Sequence, residues 1–341
     1  MFQLVTDKLA TVDGTQEDIS INSCDIHTLF IGHVEFQFHN QEIYVFNEIQ
    51  SFDILTIGHI GDMKLHNYIF TKHITTLIIY GNVLGPITDL TFMTNLIRID
   101  IGLTIKYMPY EPLDHDYFDK PLTHFTFPLT LEILCIGATE IDILFNTIFP
   151  VTLKRISIDG YTFPLTNVTF PESLTTLHLG YNDTLEHITL PQKLKELRIM
   201  SIQALNMLSV IETPPTLKNI IFQLDDIIYD TYTNYIKIPE SVTYITTNHV
   251  PLLKCMRFNT PLIKLGLLYS RKKYSLDDLP HGIEKLVLHK GISVDTTISN
   301  LPSTLQKIKL KGYDILELYH KITRVPYGCV IVDQDNEPII L

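Results

Sequence analysis

The chain has 341 residues, 26 Lys+Arg against 38 Asp+Glu for a formal charge of −12, and 45% of its residues are hydrophobic. That is too apolar for disorder and enough to fill a large folded protein. No apolar run approaches the ~18 uncharged residues of a membrane helix, and the opening MFQLVTDKLATVDGTQEDIS lacks a basic segment followed by an apolar one, so a cytoplasmic protein without membrane attachment is expected.

In chain order, residues 1–22 carry no copy of the pattern that dominates the rest, and they are assigned to an N-terminal cap, because the end of a repeat stack needs a cover. From residue 23 one frame recurs: an apolar residue, two variable ones, an apolar one, a variable one, an apolar one. It stands at Ile26/Leu29/Ile31, Phe52/Leu55/Ile57, Ile74/Leu77/Ile79 and Leu96/Ile99/Ile101. The next step widens to 35 residues, and the added text near 105–122, MPYEPLDHDYFDKPL, reads as a protruding acidic loop. The frame resumes at Leu131/Leu134/Ile136, Leu153/Ile156/Ile158, Leu174/Leu177/Leu179, Leu194/Leu197/Ile199 and Leu217/Ile220/Phe222. Val242/Ile245/Thr247 is a degraded copy, followed by Leu262/Leu265/Leu267, Ile283/Leu286/Leu288 and Leu305/Ile308/Leu310. Most steps are 20–25 residues, so about 13 coils occupy 23–313. Residues 314–341 form a C-terminal cap, with a short helix expected near ILELYHKI and a last strand around Val330 and Val332.

The last two apolar positions of the frame are two apart, so both point to one side of an extended strand. One such strand cannot bury its apolar side alone. Stacked coils bury it mutually and line their strands into a parallel sheet. Proline stands three residues before the first apolar position in FPLTL, FPVTL, FPESL, TPPTL, IPESV, LPHGI and LPSTL, where the missing donor costs no ladder bond. Segments such as YTFPLTNVTF and YNDTLEHITL are too short for a full helix, and their Phe163, Leu165, Val168 and Phe170, or Leu185, Ile188 and Leu190, are expected to fill the coil interior. The fold expected is a right-handed repeat solenoid of the leucine-rich-repeat type, mostly strand, with a parallel sheet on the concave face and short 3₁₀ or irregular convex segments.

The units GYTFPLTNVTFPESLTTLHLGYNDTLEHITLPQKL resemble FNIP repeats, a branch of the leucine-rich repeat family; similar letters stand at Phe258-Asn259-Thr260-Pro261 and Phe145-Asn146-Thr147. The resemblance is best over 120–313 and rests on the proline-to-leucine spacing. It implies a curved solenoid that binds other proteins. Some members carry an F-box and serve as substrate-recognition adaptors in ubiquitin transfer, but residues 1–50 contain no F-box-like helical text. The leucine-rich-repeat asparagine is matched only at Asn82 and Asn182, so no continuous asparagine ladder is expected.

The catalytic inventory is thin. There is no phosphate loop, no glycine-flanked nucleophilic serine and no metalloprotease histidine pair. Cys24, Cys135, Cys255 and Cys329 are too far apart for a zinc site or a disulfide framework, which suits a reducing compartment. His27, His33 and His39 have no ligand spacing on one strand. Asp114, His115, Asp116 and Asp119 could form an acid/base or cation site, and an enzyme or carbohydrate-binding protein on parallel coils is the alternative they support. A solvated loop explains them more simply, and no cofactor, metal or catalytic residue is expected.

The strand residues between the apolar ones make the face open to a partner. Those chosen as candidate contacts are Tyr80, Arg98, Arg155, His178, Arg198, Tyr244, Lys264, Lys285, Lys307 and Lys309. Residues 251–325 hold 13 Lys+Arg against 6 Asp+Glu, +7, which leaves −19 for the rest of the chain. That gradient suits an acidic protein partner at the C-terminal end. The same lysines read equally well as solubilising a polar strand face. Nucleic acid is disfavoured, because the lysines lack interleaved aromatics. The expected function is a non-enzymatic protein–protein interaction module, with partner and oligomeric state unspecified.

Overall fold

A computed structural model of the chain describes strand residues 3–5, 9–12, 28–31 and 54–57, then residues 74–79, 89–101, 126–137, 144, 147–158, 165, 168–180, 185, 188–224, 235–258, 262–270, 275–276, 279–290, 298–312 and 322–339. The described chain falls into two compact units, Met1–Leu174 and Thr175–Leu341, each taken by itself.

The first unit runs β1 (Gln3–Val5), β2 (Leu9–Val12), β3 (Thr28–Ile31), β4 (Ile54–Ile57), β5 (Thr76–Ile79), β6 (Arg98–Ile101), β7 (Ile133–Ile136) and β8 (Arg155–Ile158). They pair in chain order. β1 is antiparallel to β2, and every later pair is parallel and in residue-for-residue register, for instance Ile99 with Leu134 and Leu134 with Ile156. β1 and β2 lie inside the stretch expected as the N-terminal cap, and β2 adds a parallel strand that the recurring frame does not mark.

The second unit orders β9 (Thr176–Leu179), β10 (Glu196–Ile199), β11 (Asn219–Phe222), β13 (Tyr244–Thr247), β15 (Lys264–Leu267), β16 (Lys285–His289), β17 (Lys307–Lys311) and β18 (Val330–Val332) side by side, all parallel. β12 (Ile236–Ile238) and β14 (Met256–Phe258) form a separate two-stranded parallel sheet. One six-residue helix, α1 (Ile202–Met207), and a 3₁₀ turn at Val250–Cys255 complete the regular structure among the described residues. Each unit is thus a leucine-rich-repeat-type stack of parallel coils with little helix.

The apolar frame accounts for the core. Leu77, Ile99, Leu134 and Ile156 in the first unit, and Leu177, Leu197, Ile220, Ile245, Leu265 and Ile308 in the second, are all 0% exposed. Each fully buried leucine or isoleucine contributes roughly 1.5–3 kcal/mol relative to exposure. Leu165, Val168 and Phe170, and likewise Leu185, Ile188 and Leu190, are buried as expected. Phe127, Phe149 and Phe170, each just before a proline, stack at centroid distances of 6.3 and 6.4 Å.

The proline motif closes a turn. In coil after coil the amide three residues on donates to the proline carbonyl, as Leu131 to Pro128, Leu153 to Pro150, Leu217 to Pro214 and Leu305 to Pro302, at 3.0–3.1 Å. The residue between, a threonine or serine, ties the coil to the one before it. Thr130 donates to the Leu96 carbonyl, Thr152 to Leu131, Ser173 to Leu153, Thr216 to Leu194 and Thr304 to Ile283, at 2.7–2.8 Å. The proline-x-threonine-leucine spelling therefore encodes both a turn and an inter-coil bond.

Two irregular coils have local causes. α1 starts where Ser201 Oγ accepts from the Ala204 amide at 3.1 Å, and it buries Ala204, Leu205 and Leu208 in place of an extended segment. In the degraded coil Thr247, 0% exposed, is satisfied by the His249 amide at its Oγ1 (3.0 Å). The buried Asn248 then does what a neighbouring strand would do: its Nδ2 donates to the Leu224 carbonyl at 2.6 Å and its Oδ1 accepts from the Leu224 amide at 2.9 Å. This is one rung of an asparagine ladder; Asn82 and Asn182 lie outside the described residues.

Candidate functional site

In the parallel-sheet strands whose burial is described, β6–β11, β13 and β15–β17, the second and fourth residues go to the core, which leaves the first and third on the open face. At β6 of the first unit that face pairs its own charges. Arg98 grips Asp100 with two parallel bonds, Nε to Oδ1 at 3.0 Å and Nη2 to Oδ2 at 2.9 Å, and Asp100 is 3% exposed. The pairing raises the guanidinium pKa further above its ordinary value. Cys135 stands beside Asp100 in register. Burial, and then the charge and hydrogen bond of Asp100, push its thiol up to about 12, so it is a structural thiol rather than a nucleophile. Nearby, Lys154 Nζ and Glu132 Oε1 pair at 2.6 Å on exposed ground. Arg155 is exposed at the start of β8.

At the start of the second unit the face is a network of polar side chains. Glu196 Oε1 accepts from His178 Nε2 at 3.1 Å and its Oε2 from Asn219 Nδ2 at 2.7 Å. Arg198 Nη2 donates to Gln223 Oε1. His178 is therefore not presented to a partner as the strand pattern suggested. It is 4% exposed, because Glu196 of the next coil reaches back across it.

Beyond Tyr244 the face becomes basic. Gly266 stands at an open-face position where an added Cβ would meet Thr246 Oγ1 at 2.9 Å and the Tyr244 hydroxyl at 3.0 Å. Its absence leaves room for the Tyr244 hydroxyl over Gly266, and Lys264 Nζ sits 4.0 Å above the ring centroid. Lys264, Lys285 and Lys307 share one register column across β15–β17, and Lys309 occupies the next open-face position beside Val287. With Lys311 and Asn336 they line an open hollow of about 250 Å³ floored by Val287. Asn336, at φ 69° in the turn behind β18, accepts from Lys309 Nζ at 2.9 Å and Lys307 Nζ at 3.4 Å.

Among the described residues none of these five lysines forms an ion pair with a carboxylate. Burial and crowding both act on these groups. Lys264 is lowered from its usual pKa by burial and then by Lys285 and Lys309, and His289 is lowered by burial and then by Lys311 and Lys264.

The structure thus brings Tyr244, Lys264, Lys285, Lys307 and Lys309 together, and leaves Arg98, Arg155 and Arg198 in other neighbourhoods. Tyr80, the acidic loop at Asp114–Asp119, and His27, His33 and His39 lie outside the described residues. Sequence reasoning missed Gly266 and Asn336. A glycine at a strand position where every other coil has a side chain was the available signal for the first. The second, placed by the C-terminal turn, had none. Among the described residues no group of three His, Cys, Asp or Glu side chains could hold a metal ion, and no helix is long and apolar enough to cross a membrane.

Comparison with known proteins gives one family match, to the FNIP Repeat, over residues 161–201. No curated protein matches. Among solved structures, the chain is similar to CroV588, described as a novel circular LRR protein structure, at 17% identity and a TM-score of 0.36, over 77% of this chain and 44% of that one. It is also similar to a leucine-rich repeat protein from Bacteroides ovatus at 14% identity and a TM-score of 0.20, over 82% of this chain and 83% of that one. This chain thus spans less than half the length of the first of these.

Proposed function

Starting from a leucine-rich repeat protein of the FNIP-like kind, we propose that it is a non-enzymatic interaction module that binds another protein on the open face of its strands, with an acidic part of that partner seated at β15–β17. The observation that carries this reading is the cluster Lys264, Lys285, Lys307 and Lys309 in neighbouring register positions, without a carboxylate partner among the described residues. Like charges set directly opposite each other across a sheet are mutually destabilising. Lysines that only solubilise do not need that arrangement, since alternating charge would serve as well. An acidic partner relieves the repulsion on binding and is drawn to this end by the local field. On β6 and β7, by contrast, Cys135 is a high-pKa thiol and Asp100 is held by Arg98, so neither is set up to react.

The test is affinity purification on the full chain from its native cells, with partners identified by mass spectrometry. Lys285→Glu/Lys307→Glu/Lys309→Glu should lose the partner. Lys193→Glu/Lys237→Glu/Lys254→Glu, the same change in charge at exposed positions elsewhere on the second unit, should keep it. Equal recovery by the two variants would overturn the proposal.

A further inference from the structure

The hollow at β15–β17 also says what kind of acidic group it suits. Its cations are all lysines, Lys264, Lys285, Lys307, Lys309 and Lys311, with no arginine among the lining residues. A planar carboxylate is matched best by the fork of a guanidinium, whereas an ammonium is a compact point charge whose three donors favour no plane. Adjacent strands lie ~4.8 Å apart, and alternate residues of one parallel strand ~6.6 Å apart, so the stems of these lysines are rooted within a few ångströms of one another. One carboxylate would leave most of that charge uncompensated. A phosphoryl group brings about −1.5 to −2 and three acceptor oxygens, and two of them close together answer most of the cluster. The room is adequate at about 250 Å³, and the floor is the buried Val287, so the donors stand on the rim around a central ligand. Asn336 helps by holding the Lys307 and Lys309 ammonium groups on the hollow's edge before anything binds.

We infer that this hollow binds oligophosphate, two or more phosphoryl groups held close together, and that the partner segment entering it is phosphorylated rather than only rich in aspartate and glutamate. This rests on the reading that a partner docks on this face.

Calorimetry on the full chain should find pyrophosphate bound at least tenfold more tightly than citrate, which carries similar charge near neutral pH on carboxylates instead. Lys285→Gln/Lys309→Gln should weaken pyrophosphate by about tenfold or more, the loss of one or two charge-assisted bonds, and should flatten its salt dependence. Citrate binding as tightly as pyrophosphate, or pyrophosphate binding indifferent to the substitutions, overturns the site. The second arm treats the cell extract with phosphatase before capture. Lost recovery of the partner supports a phosphorylated segment, and undiminished recovery overturns it while leaving docking on the face intact. If the triple lysine reversal leaves partner capture unchanged, the docking reading fails, and lysine-dependent pyrophosphate binding then assigns the hollow to a soluble oligophosphate.

Discussion

The first unit's strand face and the last coils of the second are built on the same frame and carry opposite electrostatic solutions. At β6–β8 a cation is answered on the spot, by Asp100 for Arg98 and by Glu132 for Lys154. At β15–β17 five lysines face one hollow and are answered by nothing charged among the described residues. The inward columns barely differ, Leu134 and Ile156 against Leu286 and Ile308. A repeat fold can keep its core constant because the strand pleat separates the two faces residue by residue, so the outward positions are free to drift. Where that freedom ends in neutral pairs the face serves stability. Where it ends in accumulated like charge, the repulsion costs stability, and the proposed acidic partner would relieve it.

The comparison breaks first if the two cores are not equivalent. Leu134→Ala in the first unit and Leu286→Ala in the second each delete a buried side chain wedged between neighbouring coils, and each should cost about 2–5 kcal/mol. Urea unfolding followed by circular dichroism reads this, and a loss in one unit several-fold smaller than in the other would mean the frames are not the same device. The faces should then part company. Asp100→Asn removes a charged acceptor from Arg98 and should destabilise by roughly 1.5–3 kcal/mol, while the half-exposed Lys309→Gln relieves repulsion and should be neutral or slightly stabilising. The first change should also lower the Cys135 pKa, because the carboxylate charge is its second cause. The thiol should stay above the ordinary range, because burial is the first cause. Thiol alkylation rates against pH check this.

The strands were legible because their signal is local. The middle apolar residue of all thirteen copies of the frame, from Leu29 to Ile308, lies in a strand, and the last strand falls at Val330–Val332. Even the degraded copy around Ile245 is a full member of the sheet. What was not legible depends on neighbours twenty or more residues away. The hydroxyl of Thr304 gains its role from the Ile283 carbonyl, and Asn248 gains its role from the unpaired backbone of Leu224. His178 has the position of a contact residue and the burial of a core one, because Glu196 reaches across it. Register arithmetic was enough to put Lys264, Lys285 and Lys307 in one column. That the Tyr244 hydroxyl sits close over Gly266 and that Asn336 turns back toward the lysines are packing facts written in no single coil.

The smallest effect is also the most specific to the lysine face. Lys264 has a folded pKa below its unfolded value of 10.5, through burial and then Lys285 and Lys309. In the pH window between those two values the unfolded chain binds more protons than the folded one, so stability rises with pH there. Below the folded pKa the cost of the crowded charge is fully present, and above 10.5 this group contributes nothing. Melting temperature followed from neutral pH into that alkaline window should therefore gain from Lys264, and Lys264→Gln should remove that gain. Lys285→Gln should shrink it, because one of the two opposing charges is gone, whereas Lys154→Gln, on the paired face, should leave it unchanged. A pH profile insensitive to Lys285 would mean that the column of ammonium groups does not feel itself, and the contrast between the two faces would lose its energetic basis.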